Sequence, residues 1–374
     1  MDNRLLTIFV SGDVMTGRGI DQILPSPSNP VLYESYVKDA REYIRLAEEV
    51  NGSIPREVSS DYIWGDALKE WNLRKPEIKL INLETSITSH DTPWENKGIH
   101  YRMHPGNIIT LQAAGIDVCA LANNHVMDWG RDGLIETLKV LHKAGINTSG
   151  AGENLDQAQM PAIIPLNERN RCLIFSLGLE TSGIPAGWQA RANRPGVWLL
   201  DDLSSDTVTI IKNTIDYFRK PGDICIVSIH WGGNWGYQIP AEHQDFAHEL
   251  IDEAGIHLLH GHSSHHPQGI EIYNHMPILY GCGDFFNDYE GISGYEEYKG
   301  HLSLMYFLKF DPITLWIKHI ELVPMEIKKF SLHYPAIHDF KWMLETMQKS
   351  SSPFLTEITL GKRGSNSFEV VIHG

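Results

Sequence analysis

The 374-residue chain is short of positive charge: 31 lysines and arginines face 47 acids, a formal net charge of −16. A protein that grips nucleic acid or an anionic membrane needs a basic face. No Lys/Arg cluster here provides one, so neither partner is expected. Cysteine is scarce. Cys119, Cys172, Cys225 and Cys282 lie far apart, form no C-x-x-C pair, and three fall in apolar strand-like runs. They read as buried free thiols, which favours a reducing, cytoplasmic setting. Long apolar runs are also missing. The run Leu5–Val10 is far short of the ~20 residues a membrane helix needs, and no signal-peptide pattern leads it. What the chain holds in plenty is histidine, 19 in all, with five between His257 and His266.

The length suits two or three ordinary domains or one large α/β domain. β-rich runs at Leu5–Val14, Lys79–Leu83, Asp117–Ala122, Ile224–Ile229 and His257–His260 alternate with helical stretches. The helices are expected at Gly106–Ala114, Asp132–Ala144, Ser205–Phe218 and Ala241–Ala254. Three of them run into an Ala-Gly pair, at Gly115, Gly145 and Gly255, the expected left-handed stop. Such alternation predicts an α/β fold. After residue 268 the runs Gly269–Tyr273, Pro277–Gly281, Leu302–Phe310 and Leu315–Val323 follow without a long helix, predicting an antiparallel or mixed part of a second sheet. Residues 25–75 read as an insertion carrying a charged helix from about Glu34 to Glu49, either a lid or a surface excursion. A main domain of 1–325 and a C-terminal extension of 326–374 complete the expected organisation.

Residue types suited to metal binding fall at the ends of five successive strands: Gly12-Asp13, Asn82-Leu83-Glu84, Asn123-Asn124-His125, His230-Trp231-Gly232 and Gly261-His262-Ser263-Ser264-His265. In open α/β sheets, ligands bind beyond the carboxyl ends of the strands. Each motif alone has an ordinary reading, such as a turn at Asp13, a solvated strand end at Glu84 or a satisfied structural histidine at 125 or 230. Jointly they deliver Asp, Glu, Asn/His, His and His/His to one rim, which points to a metal centre. Mixed oxygen and imidazole donors suit Mn, Fe or Zn better than Mg or Ca. His257 and His260, inside an apolar run, read as core or supporting residues. Trp231, Trp235 and Tyr237 share a Gly-rich loop after His230 and are expected to form a substrate wall.

These motifs, with Gln268-Gly269-Ile270-Glu271 and Tyr280-Gly281-Cys282-Gly283-Asp284-Phe285, resemble those of the CapA-type capsule (poly-γ-glutamate) biosynthesis proteins, a branch of the calcineurin-like metallophosphoesterase superfamily. The resemblance covers about residues 5–325. It implies a four-layer α-β-β-α sandwich with an inserted helical segment, and two divalent metal ions, Mn first with Zn, Fe or Ca as alternatives. Asp13 and His265 would hold one ion; Asn124, His230 and His262 would hold the other; Glu84 would bridge. His125 would be the uncoordinated acid, and Arg18 and Arg102 would bind an anionic group of the substrate. Two departures from the superfamily stand out. Its Asp-x-His motif is Asp13-Val14-Met15 here, and its Gly-His-x-His is Gly261-His262-Ser263-Ser264-His265.

Two metals about 3.5–4 Å apart can activate water and clamp an oxygen that gains charge, which serves phosphoester and amide hydrolysis alike. The same Lewis acid beside a histidine base could epimerise a peptide, and a polymer-synthesis subunit could keep the fold without catalysis. The expected function is hydrolysis of a small peptide-like or phosphorylated substrate bearing an anionic group. The acidic surface disfavours a long polyanion.

Overall fold

The computed structural model describes residues 4–362 and 365–372. Its architecture follows from strands that are apolar on both faces and so must be covered on both. In Leu6–Val14, Leu6, Ile8 and Val10 enter one core while Phe9 and Val14 enter another. In Arg171–Gly178, Cys172 and Ile174 share the core of Leu6, Ile8 and Val10, whereas Leu173, Phe175 and Leu177 face the opposite way. The common core is therefore the interior between two stacked sheets.

The first sheet runs Ile358–Leu360, Phe368–Val370, Ile317–Ile327, Leu302–Phe310, Leu6–Val14, Ile78–Leu83, Val118–Ala120, Asn147–Ser149, with Asp284–Phe286 laid against the end of Leu6–Val14. The second runs Ile270–Tyr273, Met276–Leu279, Leu258–His262, Ile224–His230, Arg171–Gly178, Ala162–Pro165. In the first sheet the strands from Leu6–Val14 out to the Asn147–Ser149 edge are parallel, and those from Leu302–Phe310 out to the Ile358–Leu360 edge pair antiparallel; in the second the four middle strands are parallel. Helices Arg41–Asn51, Ala67–Arg74, Ile109–Ala114 and Gly130–Lys143 bury apolar residues in the outer core of the first sheet. Helices Ser205–Phe218 and Ala241–Asp252 do so on the second. The result is the expected four-layer α-β-β-α sandwich.

Several expectations need correction. The four runs after residue 268 do not share a sheet: Ile270–Tyr273 and Met276–Leu279 join the second, while Leu302–Phe310 and Ile317–Ile327 pair antiparallel in the first. The 25–75 insertion is no loose excursion, because Trp64 and Trp71 pack with Phe9 and Phe285 in the outer core. Its charged helix starts at Arg41 rather than Glu34. The tail is woven in as well. Strand Ile317–Ile327 crosses residue 325, Phe368–Val370 pairs with it, and Met343 and Met347 of helix Ile337–Ser351 enter the core between the sheets.

Candidate metal centre

The carboxyl ends of both sheets meet at Asp13. Its strand pairs on one side with Ile78–Leu83, placing Asp13 opposite Asn82, and on the other with Asp284–Phe286, placing it opposite Asp284. Such crowding needs glycine at residue 12, where a Cβ would stand 1.7 Å from the Gly283 carbonyl oxygen. The Asp13 carboxylate is fully buried. Oδ1 accepts from Asn82 Nδ2 at 2.6 Å and Oδ2 from the Ser263 amide at 3.2 Å. Burial, then the neighbouring Asp284, raises its pKa to about 7. Ser263 adopts φ +102°, a costly value for a non-glycine residue, and that turn aims its amide at Asp13.

Two acid–imidazole groups share Asp13. In one, Asp13 joins His230 and His262; in the other, it joins His265 and Asp284; within each group the ligand atoms lie inside 4.8 Å of one another. The hydrogen bonds behind the first group fix its tautomers. His260 Nε2 faces the Ser11 carbonyl at 2.8 Å, so it donates, and Nδ1 accepts from the Ser228 hydroxyl at 3.1 Å. Ser228 Oγ then accepts from His262 Nε2 at 2.8 Å, which leaves His262 Nδ1 a bare lone pair. Asn124 Oδ1 faces His230 Nε2 at 3.1 Å, so that ring also donates from Nε2 and keeps Nδ1 bare. The two Nδ1 atoms face each other at 2.8 Å. Two lone pairs so close repel unless a cation lies against them. Glu84 is nearby, with Oε1 3.9 Å from His230 Nε2 and Oε2 buried without a hydrogen-bond partner. Burial, then Asp13, pushes its pKa up. An unpartnered buried oxygen on a carboxylate close to His230, together with two bare imidazole nitrogens that face each other, fits a divalent ion. In the second group, burial opposes a charged His265, but Asp284, 2.8 Å from Nδ1, outweighs it and the pKa is raised.

His125 stands at the edge of this cluster. Its Nδ1 meets Asp128 Oδ2 at 2.7 Å and its Nε2 points to Glu84 Oε1 at 3.6 Å. Lys97 Nζ lies 3.0 Å from His125 Nδ1 and 2.7 Å from Asp128 Oδ1. Burial drives the His125 pKa down to about 4. Asn123 shapes the turn: its Oδ1 accepts from the His125 and Val126 amides, and its Nδ2 donates to Asn82 Oδ1.

The expected substrate contacts fare differently. Arg18 is 3% exposed and already committed. It donates twice to Asp288, once to Glu34 Oε1 at 3.1 Å and once to Tyr43 at 2.9 Å, and lies over the rings of Tyr43 and Tyr101. Arg102 donates to the carbonyls of His90 and Asn29 and to Asp91, and stacks on Trp129 at 3.9 Å. Neither arginine is free to clamp an anion. Trp231 is core: it is 3% exposed, stacks on His243 at 4.2 Å, and donates to the Tyr280 carbonyl. Trp235 does reach the rim, 5.3 Å from the His265 ring and stacked on Tyr295 at 4.1 Å. Tyr237 packs behind it on His266 and Tyr298. Sequence reasoning passed over two acids. Asp284 follows a glycine after a strand, as Asp13 does, and Asp128 follows His125 by three residues.

Residues 7–289 match the family described as bacterial capsule synthesis protein PGA_cap. A probable polyglutamine synthesis accessory protein of Mycobacterium tuberculosis is 44% identical over 98% of this chain and 96% of its own length. The PGA biosynthesis protein CapA of Bacillus subtilis is 27% identical over 92% of this chain and 81% of its own. A crystal structure described as a novel phosphatase of Mycoplasma pneumoniae overlays on 86% of this chain and 94% of its own, at 13% identity and a TM-score of 0.47. The chain belongs to the PGA_cap family of bacterial capsule synthesis proteins. No helix among the described residues is long and apolar enough to cross a membrane.

Proposed function

From that membership and the buried cluster, we propose a metal-dependent hydrolase of the metallophosphoesterase type, acting on a peptide-like amide or a phosphoester. The observation that carries this reading is the Asp13 carboxylate shared by two acid–imidazole groups, with the bare Nδ1 atoms of His230 and His262 facing each other across one of them. Asn124, Glu84, His230 and His262 would hold one divalent ion, His265 and Asp284 the other, and Asp13 lies between. On this reading Asp13 would take the shared place expected of Glu84, and Glu84 would be a ligand on the first side. Bound ions would acidify a water and stabilise the oxygen that gains charge.

The chain's own contribution lies around them. Asp128 holds His125 Nδ1, so protons enter or leave at Nε2, the atom that faces Glu84. Asn82 and the Ser263 amide fix the rotamer of Asp13, and Ser228 with His260 fixes the ring of His262. With Arg18 and Arg102 committed elsewhere, the anionic or polar group of the substrate would be the one that reacts, at the cluster beside His125 and Lys97. The role in polyglutamate or capsule synthesis carried by the relatives' names fits a short substrate or a chain terminus better than a long polyanion, given the chain's net charge of −16.

The test is to load the full chain with Mn, incubate it with phosphoester and peptide panels in D2O, and read the products by mass. Hydrolysis splits the substrate with uptake of water. Solvent hydrogen at Cα without cleavage would replace this reading with epimerisation. No change in any substrate would leave a non-catalytic subunit.

A further inference from the structure

Beside the histidine cluster a cleft of about 540 Å³ opens against His265 and Trp235. The rest of its lining is unusual for a surface. Tyr36 and Val50, from the inserted segment, are each 66% exposed, and Ile292 and Tyr295, from the loop after Tyr289, are 47% and 51% exposed. Four large apolar side chains thus line one opening, where scattered single exposures are the norm. Tyr295 has one face stacked on Trp235, at 4.1 Å and an interplanar angle of 9°, and is half exposed beyond that contact.

The charges of the cleft point the same way. Its walls include Glu290, Glu296 and Glu326 but, among the described residues, only Arg18 and Lys299 as lysine or arginine. Arg18 is spent on Asp288 and Glu34. Lys299 Nζ is held by Asp339 at 2.7 Å and lies 4.9 Å from the Trp342 ring centroid. Burial lowers the His301 pKa. Beyond His265 and the ion it would help to hold, a run of carboxylates entering here would meet Glu296 and Glu326 and no free lysine or arginine, whereas an uncharged ring or aliphatic chain would cover the exposed apolar wall.

We infer that this cleft is the specificity pocket of the site and takes an uncharged aromatic or aliphatic portion of a short peptide-like substrate, not a run of glutamates. The inference rests on the hydrolase reading for its orientation, because His265 lies both in the cluster and in the cleft wall. It rests on the cleft alone for its chemistry.

The experiment measures binding apart from turnover. N-acetyl-phenylalanine amide and N-acetyl-tryptophan amide serve as neutral probes, and a linear glutamate tetramer as the anionic one, each titrated calorimetrically into the full Mn-loaded chain. The neutral amides should bind more tightly than the tetramer. Tyr295→Ala should weaken them about tenfold, the worth of one good aromatic contact. Ile292→Lys should weaken the amides and admit the tetramer. Far-UV circular dichroism and Mn content confirm that each variant is folded and loaded. A tetramer that binds wild type as tightly as the amides overturns the inference, as do amide affinities that neither substitution moves. Turnover on the phosphoester and peptide panels is scored separately: its absence with pocket binding intact sinks the hydrolase reading only, and its presence with flat binding data sinks the pocket only.

Discussion

Replacing Arg18 separates two roles for one residue. As an anion clamp, it would leave stability alone and govern substrate affinity. As a buried strut, it would do the reverse. The guanidinium joins Asp288, Glu34 and Tyr43, all buried, and is flanked by the rings of Tyr43 and Tyr101. Arg18→Met strips the cation from two carboxylates. Asp288 would keep only the Gly19 amide and Glu34 the Tyr43 hydroxyl. Removing one partner of a buried ion pair costs about 3–5 kcal/mol. In a chain this size that is a fall in Tm of roughly 6–10 °C, at about 2 °C per kcal/mol. Arg18→Lys, with a single ammonium that cannot reproduce the two-bond grip on Asp288, should lose about half as much. Adding Asp288→Asn to Arg18→Met should cost less than the sum of the singles, since the charge left stranded is removed too. Urea and thermal unfolding of wild type, the three single variants and the double variant read this directly. An unchanged Tm in Arg18→Met, with KM raised for an anionic substrate and not for its neutral analogue, would refute the strut and restore the clamp.

Elemental analysis after dialysis against Mn should give two ions per chain, and Asp13→Asn should lower both while His265→Ala lowers one; less than one ion in wild type ends the two-metal reading. His125→Asn should keep the ions and lose about 10²–10⁴-fold in turnover, the usual worth of a general acid or base, and Asp128→Asn should fall between that variant and wild type; loss of metal in His125→Asn would make His125 a ligand. Away from the centre, burial lowers the His257 pKa from 6.5 to about 4, and its Nδ1 accepts from the Cys225 amide at 3.0 Å. Because the folded pKa lies below the unfolded one, the unfolded chain takes up the proton first as pH falls. Stability is therefore full above about pH 6.5 and declines towards pH 4. His257→Asn, which can still accept that amide, should flatten the decline in a series of urea melts, and an equally steep decline would exclude His257 as its source.

The strand-end residues were legible because their placement is local. A parallel strand ends where its apolar alternation stops, and the next residues must face the rim, so Asp13, Glu84, Asn124, His230 and His262 could be gathered from the chain alone. The edge strand Ala162–Pro165 and its neighbour Arg171–Gly178 were not, since Cys172–Leu177 is apolar on both faces and carries no candidate ligand at its end to mark it. The division of the strands after residue 268 between two sheets was hidden for another reason. Leu302–Phe310 pairs with Leu6–Val14 across almost the whole sequence, and no local pattern states which distant partner a buried strand will choose.

The misread arginines and the overlooked aspartate have one cause. An arginine after a strand-end glycine is equally suited to gripping a substrate or an internal acid, and the choice depends on where Asp288 and Glu34 lie, 270 and 16 residues away. Nothing in the local pattern of residues 280–285 gives Asp284 a role, because its partner His265 and its neighbour Asp13 come from different sheets. The juncture that joins them is the split end of strand Leu6–Val14, where the register slips between Ser11 and Asp13 and Gly12 lets the Gly283 carbonyl approach. That slip sets one carboxylate opposite residues of both neighbouring strands, and so puts it between two clusters of candidate ligands. A bulge re-aims side chains in this way. Here it converts an ordinary strand-end aspartate into the one shared by both groups, and the crowding that achieves it leaves no room for a side chain at residue 12.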